Sequence, residues 1–397
     1  MLIYQGTPVR EQFDIVDDDD KVYLRAANIC PCATSVAAAV DDFVNVWRRE
    51  GDACWGLVES AFEEGKALFA KLIGADSGEI ATIENTSMGL SIAASLIAPP
   101  PGSNVVVDEL THQSNVYPWM LRSQVELRYA RSDRGRVALS EFECLVDENT
   151  AAIDVCHVTM GHGFRHDLAT LADLAHAHRA YLVVDAAQSA GVVPIDVGEA
   201  SVDFLSCPTF KWLWGPLGAG FLYVRKDLLK LGPPPLVGWM SARRPAGFDI
   251  HSMHLHDDAR RLQRGVHNGA GLVAALAGLR IVDELGADTI WHYVRGLSRQ
   301  LLDGLEEVGL EVLTPTGDEE RGGIVAFSVQ DAANFNQALS DLGPMRSVAL
   351  RVASDDRVQF EVDFAGGRSQ LIRSVTGVEG LSECDDPAAE SPTFCFR

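Results

Sequence analysis

The chain has 397 residues, 47% of them hydrophobic, enough for a large buried core and too many for one small module. Lys and Arg total 33 against 56 Asp and Glu, a formal charge of −23, which gives a nucleic-acid backbone or an anionic membrane surface little to bind. A small-molecule enzyme of two domains is the leading class. The start, Met1-Leu-Ile-Tyr-Gln-Gly, has neither a basic region nor a long apolar one, and the most apolar later stretch, from Gly269 to Leu279, stops at Arg280. That is well short of the roughly 18 uncharged residues a membrane span needs, so a cytoplasmic protein without a membrane segment is expected. Eight scattered cysteines without CxxC spacing point to free thiols.

In chain order, Asp17 to Asp20 before Lys21 reads as a solvated turn. Between residues 66 and 225 short β-rich runs alternate with helical stretches. The runs are Asn104–Asp108, Val125–Tyr129, Ala152–Cys156, Tyr181–Asp185 and Phe221–Val224, and the alternation predicts an α/β fold with a mostly parallel sheet flanked by helices. A crossover helix is predicted over 168–179, with apolar residues at 168, 171, 174, 175 and 177. Pro233-Pro-Pro235, Pro245 and Gly247 then interrupt regular structure and mark a boundary. Helices over 268–285 and 290–308 and a strand over 323–329 suggest a smaller α+β domain. The division is residues 22–248 for the large domain, 1–21 with 249–374 for the small one, and a polar tail over 375–397.

Ligands of an open parallel sheet gather beyond the carboxyl ends of its strands, so a polar residue closing a strand there carries weight. Asp185 closes the run from Tyr181, Gln188 follows three residues later, and Lys211 comes 26 residues after Asp185 in Cys207-Pro-Thr-Phe-Lys-Trp-Leu-Trp-Gly-Pro-Leu-Gly-Ala-Gly. Between Phe210 and Trp212 an ammonium group is poorly solvated, which favours its neutral form and opens it to condensation with an aldehyde. A surface lysine snorkelling over aromatic area fits the same composition. Glu84-Asn-Thr-Ser-Met-Gly-Leu-Ser91 sets hydroxyls and a small residue before a helical run ending near Ala98. On its own this is an ordinary N-cap, although the amides of such a first turn and the Ser87 hydroxyl are able to hold a phosphate. Thr111-His-Gln-Ser-Asn115 leads on to Pro118-Trp119.

Taken together, Asp185-Ala-Ala-Gln188 and Lys211-Trp-x-x-Gly-Pro-x-Gly-x-Gly-Phe-Leu-Tyr-Val224 resemble the class V aminotransferase family of pyridoxal-phosphate enzymes, which includes cysteine desulfurases, kynureninases and related lyases. The resemblance runs with gaps from about Val22 to about Arg351. It implies the fold-type I architecture, pyridoxal 5′-phosphate as cofactor, an amino-acid substrate and a homodimer. By the same likeness Lys211 holds the cofactor as a Schiff base and serves as base at Cα, Asp185 keeps the ring nitrogen protonated, and Gln188 bonds the 3′-oxygen. Thr86, Ser87 and the Met88 amide take the phosphate, and His112, in the His-x-x-Asn-x-x-Pro-Trp stretch, lies flat on the ring. Arg351, in Ser347-Val-Ala-Leu-Arg-Val-Ala-Ser354, takes the substrate carboxylate with two prongs.

The chain departs from the family's pattern at several points. Phe210 stands where histidine is usual, so one phosphate contact is either lost or moved to Thr209. Thr159-Met160 replaces a Ser-Asn pair, and Gly265-Val266-His267-Asn268 replaces a Gly-Thr that reaches the phosphate across the dimer, with His267 as the substitute. No cysteine lies between Gly323 and Arg351, where a desulfurase carries its sulfur acceptor, and Cys207, beneath the cofactor, is badly placed for that job. The expected reaction is therefore β-elimination at the C–S bond of a cysteine S-conjugate, giving thiol, pyruvate and ammonia. An aminotransferase, an epimerase and a decarboxylation-coupled deaminase remain open on the same scaffold, as does a non-catalytic sensor of cofactor or amino acid. Trp212, Trp214, Trp239 and Tyr117 either shape a pocket or fill the core. His251-x-x-His254-x-His256-Asp257-Asp258 matches no zinc spacing and reads as a polar loop, so no metal is expected.

Overall fold

The computed structural model describes residues 2–16, 23, 26–243, 247 and 249–328, together with the backbone of 350–351, 358–361 and 395–396. The turn at Asp17–Lys21 lies outside the described residues, as does the tail over 375–397 apart from one short strand. A hairpin of β1 (Ile3–Tyr4) and β2 (Thr7–Pro8) opens the chain, followed by the long helices α1 (Thr34–Glu50) and α2 (Cys54–Ile73). Then come β3 (Ile80–Ile83), α3 (Thr86–Ile97), β4 (Asn104–Asp108), α4 (Gln113–Met120), β5 (Glu126–Ala130), α5 (Leu139–Glu143) and β6 (Thr150–Cys156). The central region finishes with α6 (Leu168–Ala177), β7 (Tyr181–Asp185), β8 (Phe204–Pro208) and β9 (Gly220–Val224). Last are α7 (Gly269–Leu285), α8 (Ala287–Glu307), β10 (Ile324–Phe327), β11 (Leu350–Arg351), β12 (Val358–Glu361) and β13 (Cys395–Phe396).

Seven strands form one sheet in the order β3-β9-β8-β7-β6-β4-β5. Only β9 runs against its neighbours; the other pairings are parallel. Parallel strands need helical crossovers, and these cover both faces. On one face Ile153 and Val155 of β6 join Phe142, Leu168 and Leu171 in a single cluster. On the other, Ala152 packs with Val105, Val107 and Trp119. Every residue of β4 and β8 is buried, which is why the predicted β4 shows no polar alternation.

Two strands of the central sheet escaped the sequence reading. Ile80–Ile83 is only four residues long, and Phe204–Pro208 ends in Ser-Cys-Pro, a poor strand signature. The predicted 125–129 strand is displaced by one residue, and the second late helix begins three residues earlier than expected, at Ala287. Helix α7 lies against α1 and α2 through Phe43, Val58, Phe62, Leu272, Val273 and Leu276. Among the described residues no helix is long and apolar enough to cross a membrane.

Phe69 of α2 is fully buried and stacks on Phe221 of β9, ring centroids 4.6 Å apart, which ties the long helix to the sheet. Phe69→Ala should lower stability by about 3–5 kcal/mol, read as an earlier midpoint in urea with an unchanged slope.

Candidate active site

The parallel strands deliver their carboxyl ends to one edge of the sheet, and Asp185, Lys211, His112, Thr86 and Ser87 lie at or just beyond those ends. Asp185, the last residue of β7, is 5% exposed, and its Oδ1 accepts from the Ala187 amide at 2.8 Å. Burial raises its pKa, while that hydrogen bond and the positive charge of Lys211 pull it back. Lys211 follows β8 by three residues, half-buried, with Nζ 5.8 Å from the centre of the Phe210 ring. The carboxylate and the amine are therefore electrostatic neighbours inside the fold.

Gln188 is held at both ends of its amide. Trp212 Nε1 donates to Oε1 at 3.0 Å, and Nε2 donates to the carbonyl of Ala27, also at 3.0 Å. The indole thereby fixes which end donates, and an amide nitrogen has a second hydrogen for a ligand. Trp212 and Trp214 are nearly fully buried core residues, whereas Trp239 and Tyr117 are exposed. The N-terminal segment reaches this place as well, because the Cys30 amide donates to the carbonyl of Phe210 at 2.9 Å.

Across the sheet, α4 presents His112 at its N-cap. The ring Nδ1 accepts from the Ser114 amide at 3.1 Å and lies 3.0 Å from Ser114 Oγ, which is itself 2.7 Å from Ser87 Oγ on α3. One hydroxyl thus joins the two helix N-termini. Asn85 caps α3, leaving Thr86 and Ser87 at its first two positions, whose amides have no intrahelical partner. Gly89 allows α3 to sit close on β8: a Cβ there would lie 2.2 Å from Ser206 Oγ.

Beneath α4 lies a buried anchor absent from the sequence reading. Asp154 of β6 accepts from Asn115 Nδ2 and Trp119 Nε1, both at 2.7 Å. These donors are one helical turn apart, so the Asn-x-x-x-Trp spacing is that of a helix face bolted to one carboxyl group. Burial raises the Asp154 pKa to about 8, against the two hydrogen bonds. Cys156 Sγ takes the His112 amide at 3.3 Å and contacts Thr111 and Asn115, its thiol pushed well up by burial and by Asp185.

Other expected residues are used differently. The Met88 amide donates to Asn85 Oδ1 at 3.0 Å, so the cap takes the hydrogen expected for phosphate. The Thr209 hydroxyl donates to the carbonyls of Pro216 and Ala219, at 2.9 and 3.0 Å, pinning the loop behind the lysine. His267 stacks on Phe62 at 4.2 Å and meets Thr82 Oγ1 at 3.3 Å, in a cleft with Gln263 and Asn268 apart from Lys211 of the same chain. Thr159 closes a tight turn by accepting from the Phe164 amide at 3.1 Å. Arg351 ends the short strand β11, and its side chain lies outside the described residues. Cys207 is buried, and among the described residues no group of His, Cys, Asp and Glu could hold a metal.

Residues 31–351 match the family model for class-V aminotransferases. The chain belongs to that family. A cysteine desulfurase of Haloferax volcanii is 30% identical over 346 residues, 81% of this chain and 79% of that protein. A probable cysteine desulfurase of Pyrococcus abyssi is 28% identical over 274 residues, 68% of this chain and 67% of that one. An uncharacterized aminotransferase of Bacillus subtilis, YcbU, is 30% identical over 290 residues, covering 73% and 77%. Among solved structures, the apo cysteine desulfurase of Thermococcus onnurineus aligns with a TM-score of 0.76 at 25% identity, over 87% of this chain and 86% of that one. The cystine C–S lyase C-DES, bound to its product cysteine persulfide, aligns at 0.80 over 89% and 95%, with 18% identity, a likeness of fold. The architecture of this class-V chain is accordingly that of the fold-type I pyridoxal-phosphate enzymes.

Asp154 gives the site a pH signature. Its carboxyl holds a proton to about pH 8 in the fold and loses it near pH 4 when unfolded, so the native state binds more protons in between. Stability should fall as pH rises through that window, and Asp154→Asn should flatten the slope of urea midpoint against pH. Asp154→Ala, which strands two buried donors, should cost about 2–4 kcal/mol at pH 6.

Proposed function

We propose that this class-V enzyme cleaves the C–S bond of a cysteine S-conjugate by β-elimination, as a cytoplasmic homodimer. Its cofactor is pyridoxal 5′-phosphate. The observation that carries the assignment is the placement of Asp185 and Lys211 at the ends of neighbouring parallel strands, a buried carboxylate and a half-buried amine on the same edge of the sheet. The surroundings fit the cofactor's chemical parts. The first-turn amides of α3 and the Ser87 hydroxyl suit a phosphate. The remaining Gln188 hydrogen suits a phenolic oxygen, and Asp185 suits a protonated ring nitrogen.

When bound, pyridoxal phosphate supplies a carbonyl for the substrate amine and a sink for the charge left at Cα. The chain's own residues do the rest. With the group bound, Lys211 would take the proton from substrate Cα, Asp185 would hold the proton on its nitrogen, and His112, fixed through Nδ1 by Ser114, would pack against it. Arg351 receives the substrate α-carboxylate. Elimination needs no sulfur acceptor on the protein, which agrees with the lack of cysteine over 323–351.

Borohydride treatment of the purified yellow protein should fix the cofactor on the peptide carrying Lys211, and Lys211→Ala should abolish that adduct and reduce turnover at least a hundredfold. S-alkyl cysteines should yield thiol, pyruvate and ammonia in equal amounts. Carbon dioxide without pyruvate, racemised substrate, or sulfur bound to the protein would each replace β-elimination by another reaction. Sedimentation at twice the chain mass checks the dimer.

A further inference from the structure

Three side chains stand in one row across the carboxyl edge of the sheet. In the parallel register of β6, β7 and β8, Cys156 is opposite Asp185, and Asp185 is opposite Ser206. Neighbouring strands lie about 4.8 Å apart and paired residues project to the same face, so the three leave the sheet side by side with Asp185 in the middle. All are buried, Ser206 completely.

The two outer members each hold a different helix. Cys156 Sγ meets the His112 amide at 3.3 Å, and the Thr111 hydroxyl and Asn115 Oδ1 at 3.4 Å each, which fastens the entry of α4 to β6. Burial and the charge of Asp185 keep this thiol protonated, so it donates to Asn115 while accepting from the other two. Ser206 Oγ donates to the carbonyl of Thr86 at 3.1 Å, fastening the first turn of α3 to β8. These two helix starts carry the two halves of the cofactor cradle, His112 for the ring and the first-turn amides with Ser87 for the phosphate.

Sulfur suits its post by length. An amide bonds an oxygen acceptor at about 2.9 Å, against 3.3 Å to Sγ here, so an oxygen at 156 either draws the start of α4 inward or loses the bond. We propose that Cys156 and Ser206 are positioning residues that set the cofactor cradle on either side of Asp185: Cys156 fixes where His112 stands against the ring, and Ser206 fixes where the phosphate turn of α3 stands. The inference rests on the cofactor reading given above, and each residue acts through the helix it holds.

Two signals of the purified holoenzyme test this: the absorption band of the bound cofactor, which reports its ring, and its phosphorus NMR resonance, which reports its phosphate. Cys156→Ser and Cys156→Ala should displace the absorption band and leave the phosphorus resonance in place. Ser206→Ala should do the reverse, and Ser206→Cys, which keeps a donor, should restore the wild-type resonance. Cys156→Ala and Ser206→Ala should each weaken pyridoxal phosphate about tenfold in equilibrium dialysis. The milder Cys156→Ser decides the ring arm where Cys156→Ala does not fold. Variants with native circular dichroism that move both signals together, or move neither, would overturn the proposal. Wild-type protein showing neither signal after addition of pyridoxal phosphate would instead refute the cofactor reading, and this inference with it.

Discussion

The structure turns on the problem of placing carboxylates inside a protein. Three of them, Asp108, Asp154 and Asp185, sit at or near the carboxyl ends of adjacent parallel strands, all almost completely buried. An isolated buried carboxylate is prohibitively unfavourable, so each has its own remedy. Asp108 takes the Leu110 amide at 2.8 Å and faces His166 Nε2 at 3.2 Å. Asp154 keeps its proton. Asp185 has one amide and the nearby charge of Lys211, and of the three it is the one whose charge is balanced by a movable amine. A cationic ring nitrogen would complete that balance, which is the physical reason this end of the sheet suits pyridoxal phosphate.

The residues around that pair serve mainly to hold it still. Asp154 bolts α4 to β6, α4 carries His112, and Ser114 joins His112 to Ser87 on α3. On the other side, Trp212 orients the Gln188 amide and the Ala27 carbonyl receives it. A one-ångström shift in any of these groups would move a hydrogen bond off its optimum, so the site depends on packing well behind it. The alternation of side chains along β6 separates this machinery from the apolar cluster of Ile153 and Val155 on the far face.

Much of the fold was legible because buried parallel strands announce themselves. Asn104-Val-Val-Val and Tyr181-Leu-Val-Val are apolar on both faces, and each closes with an aspartate. Ile80–Ile83 and Phe204–Pro208 were not, being too short or too polar for a local pattern to separate from a loop. Candidate chemistry was legible at Asp185, Gln188 and Lys211 because their spacing is a family signature. The work of Thr209, Met88 and His267 was not, since hydroxyls, amides and imidazoles take whichever partner the chain brings near.

By itself the sequence determined the α/β class, the strand-closing carboxylates, the family and the lack of cysteine over 323–351, all of which are carried by periodicity or by residue identity at short range. Tertiary structure alone decided that Asp154 grips Asn115 and Trp119, that Ala27 meets Gln188 across 161 residues of chain, and that Thr209 turns to its own loop. Those contacts depend on where distant segments come to rest, and the hydrophobic burial that brings them there is summed over the whole core rather than encoded in any local spacing.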